Sequence, residues 1–167
     1  MKLMASALTA AAILSGGGFL PPLAADNQHV LQRAKETVWA PAPPMLPRGA
    51  EIAVVSGDPG KAVPFTIRLK FPANYDIPAH SHPGDENVVI VSGALTFGMG
   101  DKLVRGASAN KTLTAGGYAL MPANMNHFAY TTKETTVIVY GLGPVNFKYV
   151  NPSDDPRSSS GNSSGSK

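Results

Sequence analysis

Between residues 51 and 150, short apolar runs alternate with turns rich in glycine and proline, and almost no helical period is present. Along residues 65–71 every second residue is apolar, beginning with Phe65 and ending with Phe71, and the residues between are Thr, Arg and Lys. This alternation predicts a half-buried antiparallel strand. Regularly spaced short strands predict an all-β sandwich or closed barrel. Further strands are predicted around His80 and His82 and at 52–55, 88–91, 94–99, 112–113, 118–121, 127–131, 135–142 and 147–150.

The N-terminal residues 1–25 have the pattern of a secretory signal peptide. A positive start at Lys2 precedes a small apolar stretch over residues 3–14, and a glycine triplet and the pair Pro21-Pro22 follow. A membrane anchor is the alternative, because no charge occurs between Lys2 and Asp26. The glycine triplet and the proline pair interrupt a spanning helix. We therefore predict cleavage after about Ala25, no stable membrane anchor afterwards, and a periplasmic or secreted protein.

Three further segments follow the predicted signal. Residues 26–50 form an N-terminal arm, in which His29 is predicted at the surface and the prolines between residues 41 and 47 force an extended path. Trp39 precedes these prolines and is predicted to pack on the domain surface or in the core, with ligand stacking as the alternative. Residues 51–151 form the β-barrel domain. Residues 152–167 are rich in Ser, Gly and Asn and predict a disordered tail, or else a processed end.

Composition excludes several classes of function. The net charge is +3, 15% of residues are charged, and no Lys/Arg cluster is interleaved with aromatic residues, so no nucleic-acid partner is predicted. The chain has no cysteine, which excludes disulfides, thiolate metal sites and cysteine nucleophiles. No serine nucleophile elbow or lysine-bearing phosphate loop occurs, and the 7% aromatic content provides no platform for stacking sugars.

Three of the four histidines fall into one pattern. His80 and His82 are two residues apart on an extended segment, so their side chains point to the same face and lie about 6.5 to 7 Å apart. Glu86 follows a Pro-Gly turn and opens the next apolar run, and His127 follows its own turn at residues 122–124. A lone histidine is more often a hydrogen-bonded core or surface residue than a ligand. The joint pattern instead predicts a metal site of His80, His82, Glu86 and His127, with a barrel that keeps these residues but binds no metal as the alternative.

Two stretches carry a family resemblance. They are similar to the first and second motifs of the cupin superfamily, whose members are jelly-roll barrels (double-stranded β-helices) that hold one divalent metal through three histidines and a glutamate. The resemblance therefore implies the same four ligands. The stretches read His80-x-His82-x3-Glu86-x6-Gly93 and Gly116-x5-Pro122-x-Asn124-x2-His127.

The chain departs from the family pattern at three positions. Asn74 and Asn124 stand where the family has glycine, and both are turn positions at which asparagine tolerates left-handed geometry. Thr131 stands where the family has an asparagine four residues after the last histidine. We therefore expect the hydrogen bonding around the ligands to differ there.

The ligand set indicates the type of chemistry. Three neutral imidazoles and one carboxylate suit Fe, Mn, Cu, Ni, Co or Zn and leave two positions open on an octahedral ion. The leading prediction is an exported oxidoreductase of the dioxygenase or oxidase type acting on a small oxygen-bearing molecule, with Glu86 also serving as a catalytic proton acceptor. The alternatives are a non-catalytic module that binds or senses metal or a small ligand, and a metal-dependent lyase or isomerase that would use Tyr75 or Tyr130.

Strand parity predicts the pocket walls. If Glu86 faces inward, Val88 and Ile90 do as well, and an inward His127 brings Ala129 and Thr131 with it. The pocket is then small and mostly apolar. Because dimers are common in the resembled family, a homodimer is a further expectation, with the Pro-rich arm crossing to the partner. Other candidate lining residues, for which ordinary packing is favoured, are Tyr75, Tyr118, Tyr130, Tyr140, Met99, Met121 and Met125.

Overall fold

The computed structural model describes residues 29–158. The predicted signal peptide and residues 159–167 of the predicted tail lie outside this range. No helix within residues 29–158 is long and apolar enough to cross a membrane. Short 3₁₀ turns occur at Ala34–Glu36 and Pro152–Asp154. The strands are β1 (Ala40–Pro41), β2 (Glu51–Ser56), β3 (Pro64–Phe71), β4 (Asp76–Ser81), β5 (Glu86–Ser92), β6 (Ala94–Met99), β7 (Lys111–Thr114), β8 (Tyr118–Met121), β9 (His127–Thr131), β10 (Thr135–Leu142) and β11 (Lys148–Tyr149).

The strands form two antiparallel sheets. One sheet has the order β1-β2-β3-β10-β5-β8, and the other has the order β11-β4-β9-β6-β7. Successive strands cross repeatedly from one sheet to the other, as in a jelly roll. The predicted all-β jelly-roll class is therefore confirmed.

The core lies between the two sheets and follows the predicted alternation. On β3 the four apolar residues from Phe65 to Phe71 are all buried. Val88 and Ile90 on β5 are buried too, as are Ala129 and Thr131 on β9, so the parity predicted from the ligand residues is correct. Apart from Thr131, these inward side chains belong to one apolar cluster.

Strand β9 departs from simple alternation, because all five of its residues are buried. Phe128 and Tyr130 on its outer face belong to a second, smaller cluster, against which Leu103 and Val150 pack. Arg105 lies over the Tyr130 ring at 4.5 Å from the centroid and pairs with Asp76 at 2.7 Å. The β6–β7 loop therefore covers this sheet from outside.

Two types of turn hold strands in position. Asn74 and Asn124 have φ values of 58° and 60°, the left-handed geometry expected for asparagine at these positions. Gly93 has φ +81°, and a Cβ there would overlap the carbonyl oxygen of Glu134 and the side chain of Thr135. The turn between β5 and β6 therefore requires glycine.

The N-terminal arm packs on the barrel of its own chain. Strand β1 pairs with β2, and Leu46 is buried in the main core. The hydroxyl of Tyr149 donates to the Met45 carbonyl oxygen at 2.6 Å. Trp39 is partly buried at the surface, where Lys70 Nζ lies 4.7 Å from its ring centroid. The homodimer, with the arm crossing to a partner, stays a prediction.

Residues 152–158, the first part of the predicted tail, fold back on the barrel. The Asn151 side chain accepts a hydrogen bond from Ser153 N at the start of the second 3₁₀ turn. Arg157 pairs with Asp155 at 2.8 Å and donates to the Phe147 carbonyl oxygen at 2.9 Å. Composition could not reveal the contact of Arg157 with Phe147, because it joins two particular residues and leaves no mark on composition.

Candidate metal centre

Strand pairing brings the three predicted histidine ligands together. His80 on β4 is the direct antiparallel partner of His127, the first residue of β9. His82 directly follows β4, and its side chain points to the same side as that of His80. All three are buried, at 3%, 6% and 2% exposure for His80, His82 and His127. One nitrogen from each ring lies within 4.8 Å of the others, so these side chains could hold a metal ion.

The two motif turns are joined by hydrogen bonds. Asn124 N donates to the His82 carbonyl oxygen at 2.7 Å, and Ala123 N donates to Asp85 Oδ1 at 2.9 Å. The left-handed geometry of Asn124 allows this approach. The turn after β4 and the turn before β9 therefore position His82 and His127 relative to each other.

Backbone carbonyls determine which ring nitrogen faces the site. His80 Nδ1 lies 2.6 Å from the Pro78 carbonyl oxygen, and His127 Nδ1 lies 2.9 Å from that of Met125. His82 Nδ1 lies 3.1 Å from the carbonyl oxygen of Asn146. Because a carbonyl oxygen can only accept, each Nδ1 carries the hydrogen and each Nε2 keeps its lone pair in the neutral ring. Carbonyls commonly orient metal-binding histidines in this way.

One of these nitrogens has no hydrogen-bond partner. His82 Nε2 is buried and unsatisfied within the described residues. A buried polar atom without a partner costs about 1 to 3 kcal/mol. Three convergent lone pairs, one of them unsatisfied, are a donor set that a cation would satisfy, and the histidines therefore fit a metal ion.

Glu86 stands beside the histidines at the start of β5. Its Oε2 lies 3.5 Å from His82 Nε2 and 3.9 Å from His127 Nε2, and its side chain is 17% exposed. Two ligand atoms each about 2.1 Å from one ion are at most about 4.2 Å apart, so both distances suit a shared ion. By the same measure, two histidine nitrogens 4.8 Å apart would have to approach each other by at least about 0.6 Å to share an ion. The predicted roles of Glu86 as fourth ligand and proton acceptor stay predictions.

Burial keeps two of the imidazoles neutral. Burial, reinforced by the neighbouring rings of His127 and His82, lowers the pKa of His80 to about 3. Burial also lowers the pKa of His127, and the hydrogen bond to Met125 and the Glu86 carboxylate oppose this only in part. Both rings are therefore available as neutral ligands at neutral pH.

In Glu86 and His82, the charge and hydrogen bonds of neighbouring groups change the pKa more than burial does. Burial would raise the pKa of Glu86, but His82, His127 and His80 together lower it. Burial would lower the pKa of His82, but Glu86 and the Asn146 carbonyl together raise it. An anionic carboxylate beside an imidazole lone pair requires positive charge between them. A proton on His82 or a cation in the same place supplies it.

His80 and His127 face a cavity of about 30 Å³, which has room for roughly one water molecule. Glu86, Val88 and Ala129 contribute to its walls, and the other walls are apolar. The predicted small apolar pocket is therefore present. None of the seven tyrosine and methionine candidates lines it. Tyr118, Tyr140, Met99 and Met125 are exposed, whereas Tyr75, Tyr130 and Met121 are buried elsewhere.

Phe147 is a site residue that sequence reasoning missed. Its ring stacks on His80 at 4.3 Å between centroids and meets His82 edge-on at 4.6 Å. Tyr149 lies two residues further on, 5.9 Å from the His80 ring. The only sequence signal was this aromatic pair at alternate positions of a predicted strand, and nothing local showed which strand it would join.

Thr131 has a role in holding strands rather than ligands. Its hydroxyl donates to the Pro72 carbonyl oxygen at 2.7 Å and accepts from Tyr75 N at 3.0 Å. The side chain is fully buried. Thr131 therefore joins β9 to the turn before β4. Within residues 29–158 its hydroxyl bonds to these two backbone groups and makes no hydrogen bond to the three histidines.

Comparisons with known proteins agree with this architecture. A family model described as the ChrR Cupin-like domain matches residues 27–146. A candidate acetylacetone dioxygenase from Methylibium petroleiphilum is 22% identical, with TM-score 0.58 over 77% of this chain and 85% of that chain. The polyketide cyclase RemF from Streptomyces resistomycificus is 16% identical, with TM-score 0.52 over 64% and 75%. An RmlC-like cupin from Shewanella frigidimarina is 14% identical, with TM-score 0.51 over 68% and 89%. No curated protein matches the sequence significantly.

Proposed function

Since the chain belongs to the family of ChrR cupin-like domains, we propose that it is an exported oxidoreductase of the dioxygenase or oxidase type. In this proposal it binds one divalent transition-metal ion through His80, His82, His127 and Glu86. Its substrate is a small molecule that carries oxygen donors. The single observation that supports the proposal most is the convergence of nitrogens from three buried histidines beside a carboxylate, next to a small apolar cavity.

The residues of the site have distinct tasks. The histidines supply neutral nitrogen ligands, each oriented by a backbone carbonyl. A bound Fe, Mn, Co, Ni or Cu ion supplies Lewis acidity and a redox couple, whereas Zn supplies only the first. Glu86 supplies negative charge and accepts a proton from the substrate, because its lowered pKa keeps it ionised and it remains partly exposed. The apolar walls limit the access of water to the site.

The supply of catalytic groups favours oxidoreductase chemistry over the lyase and isomerase alternative. The cavity at the histidines is lined by no lysine, tyrosine or second carboxylate among the described residues. Tyr75 donates to the Pro47 carbonyl oxygen, and Tyr130 accepts from Gly106 N at 3.1 Å, so both hydroxyls point elsewhere. An oxygen-independent reaction would therefore depend on Glu86 alone for proton transfer.

The similar structures bear on the fold and leave the reaction open. One is described as a candidate dioxygenase and another as a cyclase, and one fold commonly hosts several chemistries. The export part of the proposal is supported by the sequence of residues 1–25. N-terminal sequencing of the mature protein tests it, with a start near Asp26 expected and an intact Met1 contradicting it.

Turnover in the presence and absence of dioxygen tests the reaction class. The metal-loaded protein is incubated with a panel of small diketones, phenols and hydroxy acids while oxygen consumption and product formation are followed. The proposal expects turnover that stops without dioxygen or peroxide. Unchanged turnover under anaerobic conditions would assign a lyase or isomerase. Tight metal binding without turnover across the panel would favour a binding or sensing module.

A further inference from the structure

A second cavity adjoins the metal centre, and we call it the arm chamber. It has a volume of about 190 Å³ and lies between the N-terminal arm and the segment before β11. Met45 and Leu46 of the arm form one wall, Ile52 of β2 contributes a side, and Val145 and Phe147 face them. The chamber is therefore built largely by segments outside the ligand strands.

The arm chamber shares a wall with the cavity that His80 and His127 face. Both cavities are lined by Leu46, Leu69, Glu86, Val139 and Phe147. On the side of the shared wall that faces the metal centre, Phe147 stacks on the His80 ring. A molecule in the chamber therefore meets Glu86 and Phe147 before it can reach the histidines.

The chemistry of the walls restricts what the chamber binds. Among its lining residues in the part of the chain that is described, Glu86 alone carries an ionisable group, and the others are apolar or glycine. Burial of an apolar ligand body in such a chamber is favourable, by about 25 cal/mol per Å². A polar end is tolerated only toward Glu86 and the metal centre, where it finds a partner.

The volume restricts the size of the ligand. An apolar cavity of about 150 Å³ binds benzene, which has six non-hydrogen atoms. At about 190 Å³ the arm chamber holds a molecule of roughly six to eight non-hydrogen atoms. Sugars of this size are excluded, because their hydroxyls would lie unpaired against apolar walls.

Two contacts keep the chamber walls together. Tyr149 donates to the Met45 carbonyl oxygen at 2.6 Å, which ties the arm to β11. Val145 N donates to the Pro59 carbonyl oxygen at 2.7 Å, which fixes the opposite wall through the backbone. The chamber is therefore pre-formed, and ligand binding does not have to order these segments first.

From these observations, and resting on the proposed function, we propose that the arm chamber is the substrate-binding site. Its ligand is a compact, mainly apolar molecule with oxygen donors at one end, and Phe147 sets the depth to which it enters. The arm is then part of the functional site. The competing place for such a molecule is a larger surface groove of about 520 Å³ that includes Met99, Val104 and Leu120 and none of the proposed ligand residues.

Methyl NMR spectroscopy with cyclohexanol as the probe tests this proposal without requiring turnover. The full chain, labelled in its Met, Ile, Leu and Val methyl groups, is titrated with and without one equivalent of Zn²⁺. Saturable shifts are expected at Met45, Ile52 and Val145. Saturable shifts confined to Met99, Val104 and Leu120 in the groove would overturn the proposal.

Two matched variants test whether cyclohexanol binds in the chamber or in the groove. Val145→Phe fills the chamber without changing the backbone bond to Pro59, and it should weaken cyclohexanol binding by roughly tenfold or more. Val104→Phe makes the same change in the groove and should leave binding within about twofold. Equal affinity in both variants would overturn the proposal.

Met45→Ala keeps the test decisive if Val145→Phe does not fold. It enlarges the chamber, so the affinity for the bulkier 4-tert-butylcyclohexanol should rise by about fivefold or more relative to the unchanged chain. No gain would overturn the proposal. Zn²⁺ binding is scored separately on the same samples. Alcohol binding in the chamber without metal binding would refute the proposed function alone, and metal binding with an empty chamber would refute this inference alone.

Discussion

Phe147 stacks on the imidazole of His80, with ring centroids 4.3 Å apart and planes inclined by 16°. The neighbouring residue Asn146 accepts a hydrogen bond from His82 Nδ1 at 3.1 Å. One short segment therefore covers one predicted ligand and orients another. Its position is held by Arg157, which donates to the Phe147 carbonyl oxygen. The metal centre thus depends on residues far beyond the two sequence motifs.

Replacement of Phe147 by alanine should affect both stability and metal exchange. The loss of a buried aromatic side chain is expected to destabilise the protein by about 3 kcal/mol. Opening the site to water should also speed metal release to a chelator by roughly tenfold. Phe128→Ala is the control, because Phe128 is also buried but packs on the outer face of β9. Equal release rates in the two variants would contradict the covering role of Phe147.

Replacement of His82 by alanine should abolish metal binding while the fold persists. Alanine removes one of the three converging nitrogens and leaves the strand pairing of His80 with His127 in place, and a metal affinity reduced by about 100-fold or more is expected when a ligand is removed. Isothermal titration and circular dichroism measure the two effects. His29→Ala is the matched control, because His29 is exposed and lies on the arm. Unfolding of the His82 variant would make the site structural.

Replacement of Glu86 by glutamine tests the fourth ligand. The amide removes the negative charge but keeps the size of the side chain, so the metal affinity should fall by about tenfold or more. Glu134→Gln removes a charge from an exposed position and should change little. Titration of both variants with Co²⁺, followed by visible absorption, measures the difference. An unchanged affinity for the Glu86 variant would leave three histidines as the whole protein ligand set.

Replacement of Thr131 by valine tests whether Thr131 stabilises the fold or supports metal binding. The change removes a buried hydroxyl and leaves the Pro72 carbonyl and the Tyr75 amide without their partner. The free energy of unfolding should fall by about 1 to 3 kcal/mol, and the metal affinity should stay unchanged. Thr132→Val, at an exposed position, should have little effect on either quantity. A loss of metal affinity in the Thr131 variant alone would show that Thr131 supports the metal ligands.

The stability of the protein without added metal should decrease in acid. Burial lowers the pKa of His80 to about 3, whereas the unfolded value is about 6.5. Between these values the unfolded chain binds a proton that the folded chain does not bind. Stability therefore falls as the pH decreases from about 6.5 toward 3, by up to about 1.4 kcal/mol per pH unit for this residue. Urea unfolding at pH 7 and pH 5 should show a smaller decrease for His80→Asn, and equal decreases would contradict the assignment.

Sequence reasoning was sufficient where local pattern and tertiary structure agree. The alternation along β3 and the inward parity of Val88 and Ala129 follow from the period of a strand, and the structure confirms them. The left-handed turn at Asn124 was likewise predictable, because asparagine tolerates that geometry. These features place the three histidines together.

Other features depend on which distant segments meet. Leu46 and Phe147 line the metal centre together although about a hundred residues separate them. Arg157, from the segment that composition assigned to a disordered tail, donates a hydrogen bond to the Phe147 carbonyl oxygen. Buried outward residues such as Tyr130 were also not predictable, because the β6–β7 loop that covers them has no regular pattern. Such contacts are set by the tertiary fold and leave no local signal.

X-ray absorption spectroscopy of the full chain with one equivalent of Co²⁺ tests the central claim most directly. The account predicts one bound ion per chain, with multiple-scattering features of three imidazoles and additional oxygen ligands. The same sample of His82→Ala should lose one imidazole or the ion itself. Cobalt that stays hydrated in solution, or a spectrum with no imidazole contribution, would contradict the claim that His80, His82 and His127 bind a common ion.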